Sequence, residues 1–135
     1  MFMSKLYSYS PMSEHFDKRD CSVRALMIAG ALTYPLAYRA CELAGRPKNR
    51  GLKFMDMAEA IRHAGFPVDP FTYETWYAYP SGSLHQFVLR NAVGNYVVAV
   101  RDHYLAVCNG VIHDHESNRT RMRRRVIFSW KIERD

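Results

Sequence analysis

The stretch "GNYVVAVRDHYLAVCNGVIHDHES", residues 94–117, decides the fold. It is dense in valine, isoleucine and tyrosine, the residues that suit a pleated, half-buried surface. Gly94–Asn95 and Asn109–Gly110 are turn signals, and Asn-Gly between two apolar runs marks a tight hairpin. The spacing predicts two or three antiparallel strands here. "RRVIFSWKIE", residues 124–133, reads as a last strand.

The register follows from the turn. With Asn109–Gly110 as a two-residue loop, residue 108 faces 111, 105 faces 114 and 103 faces 116. His103 and Asp114 then become diagonal neighbours on one face of the hairpin, ~7–8 Å apart between backbones and within side-chain reach. The side-chain period of two keeps them together for any even loop.

Upstream of the strands the pattern is helical. Residues 21–32 are apolar enough for a largely buried helix. Thr33 caps a second helix, with Pro35 in its first turn and Gly45 past its end. Leu36, Ala40, Leu43 and Ala44 give it an apolar face. A third helix covers about 54–64 and stops at Gly65, and Ser83 opens a short fourth. Residues 66–82 read as a short strand and a loop. Helices first and an antiparallel sheet after them make an α+β domain. The expected organisation is one domain over residues 1–135. It has an extended arm at 1–19, a helical half at 20–65 and a mainly β half at 66–135.

Composition agrees with that organisation. The chain has 135 residues, 48% of them hydrophobic, which suits one domain with a real core. No apolar run is long enough to span a bilayer. The opening "MFMSKLYSYSPMSEHF" lacks the pattern of a secretory signal, so a cytoplasmic location is expected. Cys21, Cys41 and Cys108 are an odd count without a CxxC pair, which disfavours a disulfide framework or a zinc ribbon. Cys41 and Cys108 read as core thiols.

Cys21 sits where a polar segment meets the start of an apolar helix. The helix start supplies positive potential and solvent is near, a setting that favours a thiolate. The same position also suits a small buried residue. A cysteine nucleophile needs a base and a group to orient that base. His103 and Asp114 supply both, so the sequence permits a Cys21–His103–Asp114 triad.

"DCSVRAL", residues 20–26, resembles the opening of short papain-like cysteine peptidases of bacterial and phage type. "GNYVVAVRDHYLAVCNGVIHD" is similar to their second signature, a Gly-x-Tyr strand leading to a His, a hairpin turn with Gly, and an Asp. The order Cys, His, Asp is theirs too. The resemblance runs from about residue 19 to 114. It implies a papain-like fold, with the cysteine on a central helix and the histidine and aspartate on the sheet. It implies cleavage of a peptide or isopeptide bond through an acyl-enzyme, without a cofactor. Many members place Asn before the cysteine, or Gln upstream, to help form the oxyanion hole. Here Asp20 stands before the thiol, and it reads as the helix N-cap. The remaining oxyanion donors are the Cys21 N–H and a side chain from the arm such as His15.

Other features leave alternatives open. "NRTRMRRR" holds Arg119, Arg121, Arg123, Arg124 and Arg125, most of the net charge of +6. It reads as a solvated loop, or as a patch for nucleic acid or another acidic partner. A binding module built on it, or an inactive papain-like domain, is the alternative to a hydrolase. His113 and His115 alternate with Asp114, and "HDH" with Cys108 invites a metal, but a fourth ligand is missing nearby and no metal is expected. In "FTYETWYAYP", Trp76 and Tyr77 either pack in the core or line a substrate cleft. Arg24, one turn after Cys21, reads as half of a structural ion pair. The sequence assigns no oligomeric state.

Overall fold

Asn109 and Gly110 have φ of 48° and 78°, the paired left-handed residues that a two-residue hairpin requires. Cys108 stands opposite Val111, as the turn predicts. Asn109 also ties the hairpin to the start of the preceding strand. Its N–H donates to the Gly94 carbonyl at 2.8 Å, and its Oδ1 accepts from the Gly94 N–H at 3.0 Å. The two turn signals in the sequence thus fasten one another.

The computed structural model describes residues 7–10, 19–68, 74–75, 82–115 and 123–134. These hold the strands β1 (Tyr7–Ser10), β2 (Glu74–Thr75), β3 (Asn95–Val100), β4 (His103–Cys108), β5 (Val111–His115) and β6 (Val126–Ile132). The helices are α1 (Cys21–Gly30), α2 (Tyr34–Leu43), α3 (Phe54–His63) and α4 (Leu84–Arg90). The strands form one sheet in the order β1-β5-β4-β3-β6-β2. The stretch β5-β4-β3-β6 is antiparallel throughout. The chain is therefore α+β. The segment expected as an extended arm contributes β1, which pairs parallel to β5.

The sheet is covered on both faces. Val97, Ala99, Tyr104, Ala106, Trp130 and Ile132 are buried in one layer with Val23, Leu26 and Ala29 of α1 and Met57 and Ile61 of α3. Val98, Leu105, Val107, Ile112 and Val126 pack on the other face with Leu84, Phe87 and Val88 of α4. Burial on two faces explains why β3 and β4 read as nearly continuous apolar runs rather than as alternations. Gly30 ends α1 against the segment that follows α3, where an added Cβ would lie 2.8 Å from the Phe66 ring. No helix among the described residues is long and apolar enough to cross a membrane.

Helix ends fall where the sequence placed them. Thr33 accepts from the Leu36 N–H, Ser83 accepts from the Gln86 N–H, and both stand in extended backbone. Gly45 and Gly65 follow α2 and α3 with φ of 106° and 97°.

The buried face of α2 is a correction. Ala37, Ala40 and Cys41 are buried, whereas Leu36 is 59% and Leu43 49% exposed. Small side chains on the buried face let the backbones of α1 and α3 approach closely, and the leucines are turned outward.

Two substitutions grade these contributions. Thr33→Ala removes the side-chain cap of α2 and should cost about 1 kcal/mol. Phe87→Ala empties the layer between α4 and the sheet and should cost about 3–5 kcal/mol. Urea unfolding of the two variants checks the size and the order.

Candidate active site

Cys21 is the first residue of α1, and the helix packs across β4 and β3. The spacing i, i+3, i+4, i+7 puts Cys21, Arg24, Ala25 and Ile28 on one stripe. That stripe borders a narrow cavity, closed on the sheet side by His103, Tyr104, Leu105, His113 and Asp114. The thiol is partly exposed. His103 opens β4 directly after the two-residue connection from β3.

The hairpin brings its acid and its imidazole together as the register predicts. His103 Nε2 and Asp114 Oδ1 are 2.6 Å apart. The Asp114 side chain is fully buried and that of His103 is 11% exposed. His103 and Cys21 line the same cavity. With Nε2 committed to Asp114, Nδ1 is the ring nitrogen left for the thiol. Burial alone would push the imidazole pKa down. The hydrogen bonds and charges of Asp114 and Cys21 outweigh it and raise it to about 9.

Asp20 does not cap the helix. It occupies the N-cap position with φ −92° and ψ 23° and makes no side-chain cap bond. That backbone is not the extended one from which a side chain folds back onto the first turn. Its carboxylate is instead held by a buried ion pair with Arg24 Nε at 3.1 Å, and it accepts from the Tyr34 hydroxyl at 2.8 Å. Arg24 is thus a structural ion-pair partner, as the sequence suggests. The Asp20 side chain leaves the first N–H groups of α1 unbonded.

Sequence reasoning missed Tyr34 and Arg46. Arg46 is buried after the end of α2, with Nη2 at 3.5 Å from the Arg19 carbonyl and the guanidinium 5.4 Å from the Tyr38 ring centroid. Together they hold Arg19 and Asp20, the residues that deliver the chain to Cys21. No spacing rule announces either, because both act across turns between helices.

Of the other described candidates, His113 alone lines the cavity. Cys41 is fully buried, and burial raises its thiol to about 12. Cys108 packs at the edge of the helical layer and burial raises it too. His113 borders the cavity, and burial lowers its pKa. His115 is the last residue of β5. Among the described residues no group of three His, Cys, Asp or Glu side chains is arranged to hold a metal ion. Arg123, Arg124 and Arg125 are exposed just before β6. His15, Trp76, Tyr77, Arg119 and Arg121 lie outside the described residues.

The ion pair and the imidazole each make a measurable contribution. Asp20→Asn leaves the buried Arg24 without its carboxylate and should cost about 3 kcal/mol, more than Tyr34→Phe at about 1 kcal/mol. Urea unfolding compares them. A histidine whose folded pKa is raised adds stability that is complete below its unfolded value and is lost as the pH rises through the folded one. His103 should therefore stabilise fully below about pH 6.5 and lose that contribution by about pH 9. In Asp114→Asn the imidazole should titrate at lower pH and the loss should flatten. NMR titration of the His103 ring and unfolding at a series of pH values read both effects.

Comparisons with known protein families, with curated proteins and with solved structures return no match to this chain, so the residues and their geometry carry the functional reading.

Proposed function

We propose that the protein is a thiol-dependent hydrolase of papain-like type that cleaves a peptide or isopeptide bond. The observation that carries this reading is the cavity lined together by Cys21, His103 and Asp114, with the thiol at a helix start and the imidazole hydrogen-bonded to the acid.

The chemistry follows from the atoms in place. With its pKa near 9 His103 already holds a proton at neutral pH, and Cys21 Sγ attacks the carbonyl carbon as the thiolate paired with that imidazolium. The carbonyl oxygen gains negative charge, and the Cys21 backbone N–H at the uncapped helix start is placed to donate to it. The C–N bond breaks and His103 passes its proton to the leaving amine, giving a thioester on Cys21. Water then attacks the thioester with the now neutral His103 as base, which releases the acid and restores the sulfur and the protonated ring. Asp114 holds the ring orientation and supports the imidazolium. Asp20 stands next to the nucleophile, but its carboxylate is occupied by Arg24 and Tyr34. That pairing counters the objection that an unpaired carboxylate would oppose a reactive sulfur.

Thiol reactivity tests the reading without a known substrate. Iodoacetamide at neutral pH should modify Cys21 at least about tenfold faster than Cys41 or Cys108, as mapped by mass spectrometry. His103→Ala should move Cys21 reactivity to higher pH. If Cys21 alkylates no faster than Cys41 and Cys108, the hydrolase reading fails and an inactive domain remains.

A further inference from the structure

The strand ends beside the candidate site carry a row of arginines. His103 of β4 stands opposite Val100 of β3, and Val100 stands opposite Val126 at the start of β6. Neighbouring strands lie ~4.8 Å apart, so the backbones of His103 and Val126 are ~10 Å apart. Arg125 directly precedes Val126. Arg124 reaches back along the row, its Nη2 donating to the Arg101 carbonyl at 2.6 Å. Arg101 belongs to the connection that leads into His103. The row is fastened on its other side as well. The Leu84 N–H donates to the Arg124 carbonyl and the Val126 N–H to the Gly82 carbonyl, both at 2.8 Å. Arg101, Arg123, Arg124 and Arg125 are exposed, with Asp102 beside them.

This arrangement differs from a solvated loop in two respects. The arginines sit on backbone that is hydrogen-bonded into the end of the sheet, and that end is the one occupied by His103. We propose that the row from Arg101 to Arg125 is a substrate subsite for acidic side chains of a peptide bound at Cys21. The proposal rests on the hydrolase reading and adds its substrate class. An extended peptide advances ~3.3 Å per residue, so ~10 Å corresponds to about three residues from the scissile bond. Guanidinium groups suit this task because their planar fork matches a carboxylate. Nucleic acid is the weaker match. Its readers combine phosphate contacts with stacking platforms or base-edge contacts, and this row abuts groups suited to attack on a carbonyl.

A protection assay tests the proposal. Cys21 is alkylated with iodoacetamide in the presence of either of two peptides. One carries glutamates on both sides of a central Gly-Gly, about three residues out, and the other carries glutamines there. At low salt the glutamate peptide should protect Cys21 at about tenfold lower concentration, the scale of a charge-assisted contact. High salt should erase the difference. The double variant Arg123→Gln, Arg125→Gln should bring the ratio of the two peptides close to one, and Arg125→Lys alone should retain part of it. Equal protection by both peptides, or protection by neither, overturns the acidic subsite while leaving selective alkylation of Cys21 intact. Absence of selective alkylation overturns the hydrolase reading itself. Retention on a single-stranded DNA oligonucleotide that the double variant loses, without a glutamate preference, overturns the proposal in favour of nucleic acid.

Discussion

The register between β4 and β5 is the constraint on which the candidate site depends. Asn109 and Gly110 accept a backbone that most residues resist, and the two-residue turn fixes which residues face each other. A slip of one residue would send Asp114 to the opposite face and leave His103 without its carboxylate. It would also break the bond between Asn109 and Gly94, which fastens the hairpin to the next strand. The site and the sheet therefore share one determinant. The turn is far from the thiol along the chain and close to none of the reacting groups, yet it sets their geometry.

A second constraint acts at the helix start. Burying a carboxylate and a guanidinium removes both from water, and such a pair rarely repays the loss in stability. The Asp20–Arg24 pair is better understood by what it does to its surroundings. It fixes the residue before Cys21 to the next turn of the same helix, and Tyr34 ties that residue to α2. Arg46 holds Arg19 in the same way from the end of α2. The nucleophile thus stands on backbone clamped from several directions, while the Asp20 side chain leaves the first N–H groups of α1 uncapped.

Much of this was legible in the sequence, and the limits are physical. Glycines at positive φ, a threonine cap and an Asn-Gly turn act locally, so the ends of α2 and α3 and the hairpin register could be read. The pairing of His103 with Asp114 followed from that register. The rotation of α2 did not. Hydrophobicity favours burying Leu36 and Leu43, but the neighbouring helices are spaced for Ala37, Ala40 and Cys41, and only the three-dimensional fit decides between them. Asp20 misled for a related reason. Its residue type and position suit a cap, and the competing partners, Arg24 and Tyr34, win through burial that the sequence does not display. The parallel pairing of β1 was equally hidden, since a four-residue strand carries no register of its own.

That parallel strand has a consequence for how the molecule is made. Tyr7 pairs with Ile112, and Ser10 with His115. β1 thus waits for β5, synthesised far later in the chain, before it has this partner to bond. Pairings so distant in sequence form late and slow the folding of the domains that need them. The candidate site follows the same schedule. Cys21 leaves the ribosome long before His103, and Asp114 arrives last, on the very strand that β1 joins. A nascent chain therefore carries a thiol without its base until β4 has been made, and the chemistry proposed for it becomes available only when the sheet closes.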